Sequence, residues 1–373
     1  MRIAPADVLS ARVTAARAAL QGSSLDALVV TSLPNIAYLS GFFASAAMLL
    51  LTQERVVLIG DGRYRESLHT RARHCPFVEV VELAPGSSYE EALAALLSPL
   101  AGLRVGFEAA HLTVGRHRDL GRVLGDAAWE SRLVESEGVI EQLRARKDTW
   151  EMARLRDGAA RLSNVAKCIL PKVFAGRTEA EVAVEIEGQL RHAGFERPAF
   201  DTIVASGPNA ALPHARAGQR RIEDGDLVVL DFGGVLDGYC TDLTRTILVG
   251  SATGRQRQVI EHVVEAEDAA FAAVGGGRAP EAVDAAARET LTRYGMGEAF
   301  THGTGHGLGL EIHEAPRITR ARPTHAEPPL APGMVLTLEP GAYFPGWGGV
   351  RIEDDVLVTA DGAEWLTDVP RIP

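Results

Sequence analysis

The chain has 373 residues, 46% of them apolar and 23% charged, which is enough for a sizeable core and long for one ordinary domain. A net charge of −11 argues against nucleic-acid and anionic-membrane partners, because both reward clustered Lys and Arg. Three scattered cysteines, Cys75, Cys168 and Cys240, build neither a disulfide framework nor a CxxC metal site, and read as small buried hydrophobes in a reducing compartment.

Apolar positions at helical spacing predict a helix from about residue 7 to 20. This N-terminal stretch lacks the apolar core and cleavage site of a signal peptide. The longest apolar run, residues 44–51, is too short to span a bilayer, so a cytoplasmic protein is expected. Short β-like runs follow at 25–30, 47–52, 55–60, 77–83 and 104–108, with a helical pattern at 89–97 among them. The alternation predicts a small α/β domain over residues 1–135, without any gathering of carboxylates or histidines. Its DGRY segment, residues 61–64, reads as a turn carrying solvated charge.

Residues 136–373 form the second expected domain. Amphipathic helices are predicted at 150–173, 178–193, 253–274 and 280–294, with a capping-box pattern at Thr178 and Glu181 and a stop at Gly194. After each helix pair come β segments, 226–234 and 239–250, then 334–341 and 349–359. Helix, helix, strands, repeated, predicts two similar halves. The fold class is therefore α+β with two domains.

The strands carry unusual charge. Asp231 ends an apolar run where a carboxylate needs a partner, and Asp237-Gly238 is a strong two-residue turn signal. A turn there pairs Leu236 with Tyr239 and Asp231 with Thr244, and puts Asp242 on the face of Asp231. Like charges so close in an apolar sheet repel, and a cation between them resolves the conflict. Downstream, His306 lies in the glycine-rich HGTGHGLGLEIH, while Glu339 and Glu353 end or occupy apolar strands fourteen residues apart. Four carboxylates and one imidazole suit hard or borderline divalent ions such as manganese, cobalt, iron or zinc, and are enough for two of them. A pair of that kind acidifies a shared water, which then attacks an amide.

These segments, DFGG with the later TD, HGTGHGLGLEIHE, LEPGAY and VRIED, resemble the pita-bread metallopeptidases, and most closely their Xaa-Pro branch, aminopeptidase P and prolidase. The resemblance is strong over about residues 140–370. Residues 1–135 look like the creatinase/prolidase-type N-terminal domain of that family. It implies a C-terminal pita-bread catalytic domain with pseudo-twofold halves. It also implies two divalent metal ions, manganese first, on Asp231, Asp242, His306, Glu339 and Glu353, with Asp242 and Glu353 bridging. By the same resemblance His214, His302 and His313 line the substrate site and Arg351 supports it. Glu339, a carboxylate near the nucleophile, is expected to carry the water's proton to the leaving nitrogen. The implied substrates are short peptides with proline second, and the implied assembly is a homodimer. Tyr343 and Phe344 are candidates for an apolar wall beside the proline ring. His192, His262 and His325 are left at the surface.

Two activities stay open within the branch. An aminopeptidase tolerates chain beyond proline, and this is the first reading. A dipeptidase must recognise the proline carboxylate, for which Arg317, Arg320 and Arg322 are available. A non-catalytic binding protein of the same fold is the alternative of another class. Its signature would be lost metal ligands, and all five candidates are present.

Overall fold

The computed structural model describes residues 1–100, 102–125, 133–321 and 327–372, and divides into two compact units, Arg2–Arg144 and Ala145–Pro373. In the first unit, β1 (Ala27–Val30), β2 (Met48–Thr52), β3 (Val56–Gly60), β4 (Val78–Glu82), β5 (Val105–Glu108) and β6 (Leu133–Ser136) form one mixed sheet in the order β4-β3-β2-β1-β5-β6. All four residues of β1 are buried, so both faces of this central strand are covered. That explains why it reads as a continuous apolar run and not as an alternation. Five longer helices accompany the sheet, among them Ala6–Gly22 and Tyr89–Leu97. The latter starts at Ser88, whose hydroxyl and the Glu91 carboxylate exchange capping bonds. Asp61 of the DGRY segment accepts from Arg63 and from the Tyr89 hydroxyl.

This unit brings two carboxylates together, Glu108 and, beyond the expected boundary at residue 135, Glu141. Glu108 at the end of β5 is buried and accepts from the amides of Thr31 and Ser32 at 2.6 and 2.7 Å. It also accepts from Asn35 Nδ2 at 2.6 Å, and that amide serves Glu141 as well. Arg144 donates to Asn35 Oδ1 at 2.7 Å, so the first unit extends past residue 135. The cluster closes over the start of helix Leu33–Ser40, where free N–H groups favour an anion.

The second unit repeats one plan twice. Helices Thr149–Ile169 and Glu179–His192 precede a three-stranded antiparallel sheet of Thr244–Leu248, Leu227–Asp231 and Ile203–Ser206. Helices Gly254–Ala273 and Pro280–Arg293 precede a five-stranded sheet that includes Gly305–Gly307, Val335–Leu338 and Asp354–Val358. Each half has its own apolar core. Leu162, Ile186, Val228 and Leu230 pack together in one, and Val263, Leu291, Leu336 and Val356 in the other. The first of these helices ends at Ile169 and not at residue 173, because Pro171 has no N–H to continue it and a 3-10 turn takes over. Thr178 and Glu181 form the expected capping box, and Gly194 follows that helix in the left-handed region at φ 93°. Cys75 and Cys240 are buried as expected, whereas Cys168 is exposed, and all three are free. His192 and His262 are engaged locally, on Gly188 O and on the Tyr294 ring. His325 and Arg322 lie outside the described residues. Among the described residues no helix is long and apolar enough to cross a membrane.

Candidate metal centre and active site

An antiparallel bridge between Thr244 and Glu353 joins the two halves. Everything of chemical interest gathers around it. Asp237 and Gly238 both have positive φ, 52° and 85°, so the hairpin turn is of the type favoured by a right-handed twist. The register is the expected one: Leu236 faces Tyr239 and Asp231 faces Thr244. Glycines bring His306 into the sheet, because a Cβ at Gly305 would lie 1.9 Å from the Thr337 carbonyl oxygen.

Asp231, Asp242, His306, Glu339, Glu353, His214, His302, His313 and Arg351 all line one cavity of about 840 Å³. Among the described residues, Asp242, His306 and Glu353 each offer a ligand atom, all within 4.8 Å of one another. His306 Nε2 stands 3.8 Å from Asp242 Oδ2 and 3.8 Å from Glu339 Oε1, too far for hydrogen bonds. His306 Nδ1 is 3.1 Å from the Gly307 carbonyl oxygen and donates to it, which leaves Nε2 with a lone pair aimed at these carboxylates. Burial, with the unfavourable neighbourhood of a second imidazole at His313, lowers the His306 pKa to about 4 and keeps that lone pair free.

Four carboxylates face one guanidinium here. Arg351 Nη2 donates to Asp231 Oδ2, its Nε to Thr244 Oγ1 and its Nη1 to the Tyr343 hydroxyl at 2.9 Å. Thr244 in turn donates to Glu353 Oε2 at 2.6 Å. Asp231 Oδ1 and Asp242 Oδ1 are buried with no hydrogen-bond partner. Burial, followed by the repulsion of Asp231, raises the Asp242 pKa well above the usual carboxylate range. Burial and the charge of Asp242 do the same to Glu353. Burial pushes Glu339 up to about 8, with Arg351 pulling against it. Orphaned acidic oxygens, an uncompensated charge and an imidazole lone pair facing them are what divalent ions would satisfy, so the residues present fit such ions.

The remaining candidates form a relay. Arg351 Nη1 donates to Tyr343 Oη, whose own hydrogen goes to His302 Nε2 at 2.8 Å. His302 Nδ1 then donates to the Gly303 carbonyl at 2.7 Å. Burial, assisted by the positive charge of Arg351, lowers the His302 pKa to about 4, so this tautomer is neutral. His214 is exposed and its charge acts on both His302 and His313. The wall of the cavity differs from the expected one. Tyr343 is a buried hydrogen-bond bridge, and Phe344 packs on Trp347 and Arg255. The apolar lining comes from Val184, Phe200, Ile203 and Ile312. No periodic signal marks those four, since they belong to a helix and three separate loop or strand positions. Asp355 was also missed. Its Oδ2 accepts from the Asp242 amide at 3.2 Å, a contact that only the folded sheet reveals.

Comparison with known proteins follows the same division. Residues 153–360 match the family described as metallopeptidase family M24, and residues 12–146 match the creatinase/prolidase N-terminal domain. The chain is 33% identical over 366 residues to the Xaa-Pro dipeptidase of Pyrococcus horikoshii, covering 98% of this chain and 99% of that one. The structure is similar to the Xaa-Pro dipeptidase of Bacillus anthracis, with a TM-score of 0.90, 33% identity and coverage of 98% and 100% of the two chains. It is also similar to the X-Pro aminopeptidase of Thermotoga maritima, with a TM-score of 0.85, 30% identity and coverage of 97% and 99%.

Proposed function

The chain belongs to metallopeptidase family M24, and on that premise we propose that it hydrolyses the bond between an N-terminal residue and proline in short peptides. The observation that carries this reading is the set of unpartnered acidic oxygens facing the His306 lone pair. Asp231, Asp242, His306, Glu339 and Glu353 would hold two divalent ions, manganese first among manganese, cobalt, zinc and iron. Such ions supply Lewis acidity and lower the pKa of water into the neutral range.

The chain's own residues do the rest. The Glu339 carboxylate, beside the attacking water, takes its proton and returns it to the proline nitrogen. His313, held neutral by burial, donates to the oxygen that gains charge. His214 assists at the rim. His302 has both ring nitrogens engaged and so offers only its face, which suits the proline ring. Arg351 keeps Asp231 and Tyr343 in place. A tertiary amide brings no N–H, so an apolar wall accepts proline without leaving an acceptor unsatisfied.

The size of the cavity, about 840 Å³, with Val184 and Phe200 in its lining, supports room for chain beyond proline and hence aminopeptidase action on short peptides. A second reading is restriction to dipeptides, for which Arg317, whose charge acts on His313, is the candidate partner of a proline carboxylate. The test strips the enzyme with a chelator, restores each metal in turn, and assays a Xaa-Pro dipeptide beside a Xaa-Pro-Yaa tripeptide and a Xaa-Ala-Yaa control. Metal-dependent cleavage confined to the proline substrates is expected. Full activity without added ion would sink the reading, and no tripeptide turnover would leave the dipeptidase. A cytoplasmic homodimer completes the proposal, supported by family resemblance. A sedimentation experiment giving a monomer would withdraw that part.

A further inference from the structure

We propose that Arg245 is a positioning residue of the metal centre, one that sets Glu353 from the side turned away from the cavity. The inference rests on the ligand assignment above. Arg245 is only 1% exposed and is not among the residues that line the cavity. Its guanidinium nevertheless reaches the centre through the main chain. Nη1 donates to the carbonyls of Thr244 at 2.9 Å and Glu353 at 2.7 Å, the two residues of the bridge that joins the halves. Nη2 donates to both oxygens of Asp354, at 2.8 and 3.0 Å, and to the Val369 carbonyl at 2.8 Å. Nε donates to the Pro370 carbonyl at 3.0 Å.

Three segments are thereby tied to one planar fork. On the far side of the bridge the Thr244 hydroxyl holds Glu353 Oε2, and Thr244 stands opposite Asp231 in register. Displacing the Arg245 fork therefore moves the backbone that carries Glu353, which would hold an ion, and the strand that faces Asp231, which would hold one too. Stability alone does not account for such a group. A buried ion pair is commonly replaced by apolar side chains of similar volume at no loss. An apolar pair tethers no carbonyl, however, and lysine offers a point charge where arginine offers a rigid fork of five donors. Supports of this kind around metal ligands are worth about 10 to 100-fold in metal affinity.

The experiment compares wild type with Arg245→Lys after chelator treatment, using Mn²⁺ titration by calorimetry and the visible spectrum of the Co²⁺ form. Arg245→Lys is expected to bind at least one ion about 10 to 100-fold more weakly, with a changed Co²⁺ spectrum, while its far-ultraviolet dichroism is retained. Arg161→Met serves as control. Arg161 pairs with Asp157 and donates to the Ala193 carbonyl, away from Glu353 and Thr244, so metal affinity should stay unchanged. Should Arg245→Lys fail to fold, the double change Arg245→Met with Asp354→Asn, which removes both buried charges together, carries the same expectation. Wild-type affinity and spectrum in either folded variant would overturn the inference and leave the proposed function standing. No ion uptake by wild type would remove both.

Discussion

Each of the two units buries a knot of acidic side chains at a strand end, and the two knots differ in what answers the charge. In the first unit Glu108 accepts from two backbone amides and from Asn35, and the Arg144 guanidinium closes the network. In the second, Asp231 and Asp242 each keep a buried oxygen with no partner, and His306 faces the carboxylates with a lone pair instead of a proton. Burial raises the carboxyl pKa in both places, so a perturbed proton affinity does not tell them apart. Satisfaction does. A carboxylate whose two oxygens are both answered is a structural cap, and carboxylates left with orphaned oxygens before an imidazole lone pair have room for an ion.

The comparison breaks most visibly if the two knots respond alike to substitution. Asp242→Ala or Glu353→Ala should abolish binding of at least one ion and lower kcat/KM on the order of 10³-fold, a few kcal/mol of transition-state stabilisation. Glu108→Gln should leave metal content and turnover at wild-type values. It presents an amide N–H to donors that need an acceptor, so it costs roughly 1–3 kcal/mol in urea unfolding. Ion content by plasma emission, measured beside the unfolding curves, decides. Loss of metal from Glu108→Gln would erase the distinction.

His313 comes next in size. As a neutral donor to developing charge, its replacement by Ala should lower kcat about 10²-fold with metal content intact. Stopped-flow rates on the metal-loaded variant are the check. A fall in KM affinity alone, with kcat preserved, would reduce His313 to a binding contact.

The pH dependence of the metal-free protein sharpens the contrast further. Glu339 titrates near 4.5 when unfolded and at about 8 in the folded chain. Below about 4.5 both states hold the proton. Between the two values the folded state keeps it and the unfolded state has released it, so stability falls as pH rises and levels off above about 8. Asp242 and Glu353, raised in the same direction, steepen that fall. Restoring Mn²⁺ should remove or reverse the slope, since ions bind the deprotonated form. Urea midpoints across this range, with and without metal, test it. A flat metal-free profile contradicts the unpaired state of these groups.

How much of this is legible in the sequence follows from the range of the forces involved. The hairpin is local: a two-residue turn fixes the register, and the register places Asp231 opposite Thr244. The four long helices are local too, because their stripes and caps lie within a few turns. Glu108 and Glu339 show where locality ends. Both terminate apolar runs, and nothing within ten residues says that Asn35 answers one while His306 faces the other. The nine site candidates were reachable through motif resemblance and spacing. The lining from Val184, Phe200, Ile203 and Ile312, and the backing by Asp355 and Arg245, depend on pairings across more than a hundred residues or on loops without periodicity.

Tyr343 gives the finest version of the same test, because its two readings differ by one oxygen. As a wall for the proline ring it would lose nothing on conversion to Phe, which keeps the aromatic face. As a bridge it passes a hydrogen bond from Arg351 to His302, and its removal leaves a buried guanidinium donor and an imidazole acceptor unsatisfied together. A hydrogen bond to a charged group is worth about 1.5–3 kcal/mol, part of which water can restore at a partly open site. Tyr343→Phe should therefore lower kcat/KM about tenfold, near 1.4 kcal/mol, and His302, freed from the bridge, should orient the ring less well. If His302 faces the substrate and not the ions, as proposed, Mn²⁺ affinity should change far less than turnover. Wild-type kinetics in Tyr343→Phe would return this residue to the apolar wall and leave His302 oriented by the Gly303 carbonyl alone.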